Sequence, residues 1–505
     1  MQSKTRTAPK RSRALLWAGG ATILLVALSD LLLFDVDAGI SVFLVALATA
    51  LAILILAWRR QRFRWGVMGF IAALILSLPL IEAASLLSVM LSALGLGLAA
   101  LMAVRLVPHR LERMPEILLR LLLPAPIRLL RDAAALRPAV QHQAGRKAAL
   151  WLVAWIVPLG LGAVFAYLFA AANPLIETTL SALQPQVLFD LLDPFRLMLW
   201  LIVAMGVWAL LRPKLLRRRR RRLPEQVVAP RDSSWFGSAA ILRSLLVFNA
   251  LFAVQTALDL TYLWGGIALP DGMGHAEYAH RGAYPLIVTA LLAGAFVLVA
   301  MRERSPARDN RVIRALVYLF IAQNVLLCLS AMLRLELYVE VYSLTEMRLA
   351  AGIWMGLVAI GLVLILARIW LRQSNGWLVA TNLLALTAVL YASAMLDLSA
   401  HIARFNVEHS RELTGADRSV DLHYLWDLGP SAIPAFDRLI PRLVPGTALW
   451  DDARAIRADL VRTLLDGPQD WRNWSWREQR LKDYLVMHAV ASAPPTRHNG
   501  MVVVR

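Results

Sequence analysis

The stretch LRLELYVEVYSLTEMRLAAGIW, residues 333–354, joins two long apolar runs and carries three glutamates, two arginines and two tyrosines. The apolar runs on either side, 313–333 and 344–370, are each long enough to cross a bilayer as a helix, which takes about 20 residues. A short polar segment between two such runs is typical of a turn between membrane helices. The stretch therefore predicts a helical hairpin and sets the fold class of the chain.

The rest of the chain follows the same pattern. Of its 505 residues, 59% are hydrophobic and only 17% are charged, which excludes a soluble protein of this length. The sequence predicts an all-α polytopic integral membrane protein with about 11 transmembrane helices, in a range of 10 to 12. The predicted spans are 14–34, 38–57, 65–81, 85–104, 149–172, 195–212, 239–265, 283–301, 313–333, 344–370 and 376–398.

Basic residues predict the orientation. Of the 53 lysines and arginines, 35 lie on one set of alternate connections and four on the opposite set. Cytoplasmic connections carry the excess of basic residues, so the N-terminus is predicted inside and the C-terminus outside. The net charge of +19 is thus explained by orientation, and no nucleic-acid partner is predicted.

The predicted organisation has six parts. They are a basic cytoplasmic N-terminus 1–13, four transmembrane helices in 14–104, a cytoplasmic interfacial amphipathic segment 105–148, seven transmembrane helices in 149–399 with a cytoplasmic Arg-rich loop 212–235, a helical periplasmic or extracellular domain 400–490, and a disordered tail 491–505. The first span is too long for a signal peptide, and no cleavage site of small residues precedes LLLFDVDAG, residues 31–39.

Two segments are candidates for contact with partners. The run Arg217–Arg222 lies beside the predicted inner leaflet, where each arginine adds about 1 kcal/mol of attraction to anionic lipids. The favoured interpretation of this run is a topology anchor. The 400–490 domain is a candidate surface for envelope protein partners.

The opening hairpin holds the main candidate site. Ser343 and Glu346 have the spacing of a capping box, which predicts that they start the tenth span. Glu336 and Glu340 are four residues apart and share one helical face, so a cation is expected beside them, either Arg334 or Arg348.

Other polar residues fall at the outer ends of predicted spans. Together with the hairpin residues they suggest an acidic, outward-open vestibule. Its candidate residues are Glu336, Glu340, Arg334, Arg348, Tyr338, Tyr342, Asp259, Glu82, Asp30, Glu277 and Arg281. Ordinary hydrogen bonding between helices is the alternative, because these positions avoid the bilayer centre, where charge is most costly.

Recognisable catalytic motifs are absent from the sequence. It has no Walker A loop, no His-Glu-x-x-His and no Gly-x-Ser-x-Gly. His275, Glu277 and His280 are close in sequence, but their spacing matches no standard zinc pattern. No cofactor and no metal are predicted.

Several motifs nevertheless resemble a known family. LYVEVYSLTEMRLAAGIWM at 337–355 is similar to the signature of a bacterial family of polytopic inner-membrane proteins, of the domain of unknown function 4153/4173 type. Further motifs match in the same order: LSDLLLFD at 28–35, GHAEYAHRGAYPL at 274–286, ARFNV at 403–407, VDLHYLWDLGPSAIPAF at 420–436 and DWRNWSW at 470–476. One departure is Ser343, where glycine is expected. The resemblance implies a multi-pass protein of the bacterial cytoplasmic membrane and no defined activity.

Three functions are compatible with the sequence. The first is an envelope scaffold or signalling protein that binds partners. The second is a transporter or channel that uses the acidic vestibule; the lack of a visible inverted repeat lowers its rank. The third is an intramembrane enzyme, for which no catalytic constellation stands out.

Overall fold

The computed structural model describes residues 8–107, 113–129, 131–132, 162, 193–213, 238–264, 289, 292, 296, 310–415, 419–467, 470–492, 497–498 and 501–502. Within these residues, nine helices are long and apolar enough to cross a membrane. They correspond to nine of the predicted spans, which confirms a multi-pass helical protein. The other two predicted spans, 149–172 and 283–301, lie almost entirely outside the described residues, so the count of eleven and the orientation stay predictions.

The described residues fall into two units. The first draws on Met1–Pro108, Arg113–Arg218 and Asp470–Ser475. Its helices are α1 (Ala8–Leu33), α2 (Ile40–Arg59), α3 (Phe63–Ser77), α4 (Pro79–Glu82), α5 (Leu86–Val104), α6 (Met114–Leu122) and α7 (Pro194–Leu211), with a 3₁₀ turn at Trp471–Asn473.

Small residues bring α3 and α5 close together. A Cβ on Gly69 would lie 2.9 Å from the Cα of Ala99, and one on Gly95 would lie 3.0 Å from the Cα of Ala73. Small residues at matching positions let membrane helices approach closely, because the lipid supplies no hydrophobic force to pair them. The four residues therefore explain why these two spans pack against each other.

The segment Asp470–Ser475 groups with the first unit, whereas the sequence predicts one continuous domain over 400–490. The Trp474 carbonyl oxygen accepts a hydrogen bond of 2.8 Å from the amide of Ile40. Arg472 donates through Nη1 to the carbonyl oxygen of Leu31 at 2.7 Å. A Cβ on Gly39 would meet the carbonyl oxygen of Asn473 at 2.5 Å, so this turn accepts the segment only because residue 39 is glycine.

The second unit draws on Arg219–Gln469, Trp476–Arg505 and His109–Glu112. Its long helices are α8 (Ser238–Leu258, continued by a π-helix Asp259–Trp264), α9 (Arg311–Tyr342), α10 (Glu346–Trp370) and α11 (Asn375–Met395). Phe248, Phe252, Phe296 and Phe320 form an aromatic cluster, with ring centroids 5.0–6.5 Å apart, where α8 packs on α9.

The C-terminal domain of this unit is all-helical, as predicted. Its helices are α12 (Leu398–Glu408), α13 (Arg411–Thr414), α14 (Leu422–Asp427), α15 (Ile433–Leu439), α16 (Ala448–Asp466) and α17 (Trp476–Ser492), with 3₁₀ turns at Gly429–Ala432 and Ile440–Arg442. Thr447 starts α16 as its N-cap, with Oγ1 accepting from the amide of Trp450. Ile402, Leu425, Phe436 and Leu439 are fully buried in its core.

The helix α9 extends beyond its predicted span. Its 32 residues correspond to about 48 Å at 1.5 Å per residue, whereas a hydrocarbon core is about 30 Å thick. The additional turns are explained by packing, because Val339 and Leu344 belong to the same buried core as the C-terminal domain. Tertiary contacts, rather than the bilayer, determine where α9 ends.

The structure describes only some residues of the other predicted parts. In the predicted interfacial segment 105–148, α6 buries Leu121 and leaves Leu119 and Leu122 exposed. The Arg217–Arg222 run lies outside the described residues. In the tail predicted to be disordered, α17 continues to Ser492, and strands β1 (Arg497–His498) and β2 (Met501–Val502) form a short antiparallel pair.

Candidate functional site

A buried ion pair joins α8 and α9. Arg334 and Asp259 are 2% and 1% exposed, and Nη2 of the arginine donates to Oδ1 of the carboxylate. Gln255, one turn earlier on α8, donates from Nε2 to the same oxygen at 2.9 Å. An ionised residue inside a membrane segment is costly without a partner, and its presence marks a functional-site candidate.

The backbone of α8 changes from α-helical to π-helical at Asp259. Asp259 is the first residue of the π-helical segment Asp259–Trp264 that continues α8. Short π-helical segments within α-helices are rare and occur frequently at functional sites. The second carboxylate oxygen of Asp259 accepts no hydrogen bond from the described residues. It is thus an acceptor directed into a buried, polar spot between two membrane helices.

The ion pair lies near one end of both helices. Arg334 is 23 residues beyond Arg311, which is about 35 Å along α9, and Asp259 is 21 residues beyond Ser238, which is about 32 Å along α8. Both lengths slightly exceed a hydrocarbon core of about 30 Å. The pair therefore belongs to the end of α9 that leads into the C-terminal domain.

The hairpin glutamates of the predicted vestibule, Glu336 and Glu340, follow Arg334 on α9, and both side chains are exposed. The cation predicted beside them has other partners: Arg334 binds Asp259 on a different helix. Arg348 donates to the carbonyl oxygens of Tyr342 and Ser343.

Arg348 also packs on the aromatic rings of Tyr338 and Tyr342. Its guanidinium lies 4.6 Å from the ring centroid of Tyr338, and the rings of Tyr338 and Tyr342 are 4.7 Å apart. A guanidinium over an aromatic face is attracted by the ring quadrupole. Together with its bonds to the last carbonyl groups of α9, this contact makes Arg348 a cap of that helix.

The predicted capping box is wrong. Thr345, not Ser343, is the N-cap of α10, and its hydroxyl oxygen accepts from the amide of Arg348. Glu346 is already the first helical residue, and its amide donates to the phenol oxygen of Tyr424 at 2.9 Å. Ser343 instead ends α9 with φ 70° and ψ 163°, a conformation that glycine adopts readily and other residues rarely adopt. The chain reverses at Ser343, so helix α10 begins later than the motif predicts.

Asn406 binds the backbone of Leu344, which lies between α9 and α10. Its side chain accepts from the amide of Leu344 at 2.7 Å and donates to the carbonyl oxygen of the same residue at 2.9 Å. Asn406 and Leu344 are both buried. Asn406 and Tyr424 are partners of the hairpin that the local sequence pattern does not predict. Each lies in a family motif, ARFNV or VDLHYLW, which is the signal that marks them.

Tyr424 keeps its proton in this setting. Burial raises the pKa of its phenol, and the Glu346 carboxylate raises it further, although the hydrogen bond from the Glu346 amide acts in the opposite direction. A neutral phenol avoids placing a second negative charge beside Glu346.

The first unit holds a second ion pair. Arg196 at the start of α7 binds Asp30 of α1 with both ends of its fork, at 2.6 Å from Nε to Oδ1 and 2.5 Å from Nη2 to Oδ2. Trp200 donates to Oδ1 at 2.8 Å, and the guanidinium lies 4.8 Å from the ring centroid of Phe34. The fork geometry fixes the angle between the two helices.

The remaining candidate residues are separated from these pairs. Glu82 is buried at the end of α4, in the first unit. Glu277 and Arg281 lie outside the described residues. The acids predicted to share one vestibule thus belong to two units, with Asp30 and Glu82 in the first and the hairpin residues in the second. Among the described residues, no group of three or more metal-ligating side chains forms a metal site.

Comparison with known proteins bears on the family alone. A search of the curated proteins and a search of the solved structures give no match. The family described as domain of unknown function DUF4153 matches residues 20–439, a range that contains the ion pairs, the hairpin and the start of the C-terminal domain. The chain therefore belongs to the DUF4153 family.

Proposed function

We propose that this protein is a multi-pass scaffold or signalling protein of a bacterial cytoplasmic membrane, with its N-terminus inside and its C-terminal domain presented to partners outside. The observation that carries the proposal is the shared core of α9 and the C-terminal domain, which contains Val339, Leu344, Ile402 and Phe436. A domain that shares its core with a membrane helix has a fixed position on that helix.

The buried ion pair gives this arrangement a means of coupling. Arg334 is the residue before Leu335, and Leu335 packs against the core of the C-terminal domain. A shift of α9 against α8 would act on the Asp259 contact and on that core within a single helical turn. A helix that makes both contacts suits a protein that transmits a conformational change, or maintains one conformation, at the membrane surface.

The domain also carries a groove suited to partners. It has a volume of about 530 Å³ and is lined by Leu422, His423, Trp426, Ile456, Asp452 and Asp459. Trp426 is 44% exposed and donates through Nε1 to Asp459 at 3.1 Å. An exposed aromatic beside carboxylates fits an apolar segment flanked by basic residues, and tryptophan is enriched at the energetic centres of interfaces.

Orientation is tested by fusing a phosphatase that is active only outside the cytoplasm. The fusion after Arg505 is expected to be active and the fusion after Arg222 inactive, because 35 basic residues lie on one set of connections. Activity in the reverse pattern would contradict the proposed placement of the domain.

Partner binding is tested in living cells with a photo-crosslinking residue. Placed at Trp426, it is expected to capture one defined protein, whereas the control position Phe195, exposed on α7, captures none. Capture must also be lost when Asp452 and Asp459 are both changed to asparagine. Equal capture at both positions, or no effect of the asparagines, would refute the groove as a partner site.

A transporter is the second candidate, supported by the buried pair beside the π-helical segment. Replacing Arg334 and Asp259 together by leucine removes both charges, a change that is often neutral for stability. A transporter that uses the pair loses function in complementation while its abundance stays normal. A scaffold that holds the C-terminal domain through its core alone retains function, so this variant separates a static scaffold from a protein that transports or relays a signal through the pair.

A further inference from the structure

A cavity of about 660 Å³ lies where two membrane helices meet the C-terminal domain. One side is formed by Leu349 and Ile353, in the first two turns of α10, by Val389, in the last turns of α11, and by Leu396, directly after α11. These two helices run in opposite directions, so the four apolar side chains lie at the same end of both. Ligand pockets in proteins are typically about 300–1,000 Å³ in volume.

The other side of the cavity is polar and basic. His401 and Arg404 lie one turn apart on α12, and Arg438 projects from α15. Both helices are held by the core of the domain through Ile402 and Phe436, so the basic groups are fixed on folded elements.

The charges around the cavity leave it cationic. The carboxylate of Asp397 accepts from the Ser431 hydroxyl at 2.9 Å and from the amide of Ala400 at 3.0 Å, and Arg477 lies 3.7 Å away. Arg438 is paired with Glu408. The guanidinium of Arg404 lies 3.5 Å from His401 and has no carboxylate partner within the described part of the chain.

We propose that this cavity binds one anionic phospholipid from the surrounding bilayer. The acyl chains lie on the apolar ends of α10 and α11, and the headgroup phosphate lies between Arg404 and Arg438. Guanidinium groups match the geometry of phosphate oxygens and form charge-assisted hydrogen bonds with them. The cavity sits at the end of two spans, which is where a lipid presents both an apolar chain and a charged headgroup.

The test is native mass spectrometry of the full-length protein in detergent, titrated with dioleoyl phosphatidylglycerol or with phosphatidylcholine of the same acyl chains. One phosphatidylglycerol is expected to bind at least about tenfold more tightly than phosphatidylcholine, because the choline ammonium of the latter offsets the phosphate charge and is repelled by Arg404 and Arg438. Arg404→Gln with Arg438→Gln is expected to remove this preference. The control, Arg442→Gln with Arg462→Gln, changes two exposed arginines of the same domain outside the cavity and is expected to keep it.

The acyl-chain side is tested separately. Ala392→Trp places a large side chain in the apolar wall and is expected to weaken both lipids, and because Ala392 is exposed the fold tolerates the change. Equal binding of the two lipids, preference retained without Arg404 and Arg438, or full affinity in the Ala392 variant would each refute the proposal. Competition by soluble glycerol phosphate at the same affinity as the intact lipid would also refute it, because the site would then recognise phosphate alone.

Discussion

Replacing Ser343 by glycine is expected to stabilise this protein. The residue has φ 70° and ψ 163°, in a region of backbone space that is almost exclusive to glycine. Holding another residue there costs about 1–3 kcal/mol, because the Cβ atom is forced against the backbone. Its neighbours leave no freedom to relax, since Leu344 is bound on both sides by Asn406 and Arg348 binds the carbonyl oxygen of Ser343.

The net gain is smaller than the relieved strain. Glycine increases the freedom of the unfolded chain, which costs about 0.4–1 kcal/mol. The free energy of unfolding is therefore expected to rise by about 0.5–2 kcal/mol in Ser343→Gly. Ser343→Ala removes the hydroxyl group but keeps the Cβ atom, so it is expected to leave stability unchanged within about 0.5 kcal/mol.

The assay compares unfolding of the three proteins in the same detergent, by circular dichroism against denaturant. If unfolding proves irreversible, the half-life at one elevated temperature replaces the midpoint. A glycine variant no more stable than the wild type would refute the strain argument. Equal stabilisation by alanine would show that the hydroxyl group, and not the backbone conformation, is responsible.

Three further predictions concern named contacts in the second unit. Leucine at Arg334 or at Asp259 alone is expected to cost about 3–5 kcal/mol, whereas leucine at both costs little, and a double-mutant cycle measures the coupling. Asn406→Leu leaves two buried backbone groups without partners and is expected to cost about 2 kcal/mol or more in denaturant unfolding. Burial, with the nearby Asp437, raises the pKa of Tyr484 to about 12, so stability present below pH 10 is expected to fall between pH 10 and 12, and Tyr484→Phe removes that pH dependence.

The sequence predicted the spans because apolar length is a local property. Nine predicted spans match helices of the described residues within a few residues at most ends. The exception is α9, which the apolar pattern ends at residue 333 and the structure ends at Tyr342. Its last turns are stabilised by the C-terminal domain, and a hydropathy pattern contains no information about that contact.

The polar partners were less accessible to sequence reasoning. Arg334 or Arg348 was predicted beside Glu336 and Glu340, because two like charges four residues apart on a helix repel and favour a nearby cation. Its partner Asp259 is 75 positions away, on a helix that packs alongside. The capping box failed for a related reason. Its spacing is correct, but the tertiary contacts of Leu344 force the chain to reverse at Ser343 and leave Thr345 to cap the next helix.

The motifs that carry the family resemblance are explained by the contacts between them. LSDLLLFD leads into the turn between α1 and α2, which binds the DWRNWSW segment through Leu31 and Ile40. LYVEVYSLTEMRLAAGIWM contains the turn between α9 and α10, whose Leu344 binds the asparagine of ARFNV. Each of these four motifs contacts a partner motif that lies far along the sequence.

The turn between α1 and α2 and the turn between α9 and α10 need the same kind of stabilisation. A turn between two membrane helices exposes backbone amide and carbonyl groups that have no partner within the helices. Each of these turns also contains a residue other than glycine with positive φ, Asp35 at 55° and Ser343 at 70°. In each case a segment after residue 400 supplies the hydrogen bonds that the turn lacks, and so holds a conformation that the local sequence disfavours. Segments after residue 400 therefore stabilise these two turns between the membrane helices, each within its own unit.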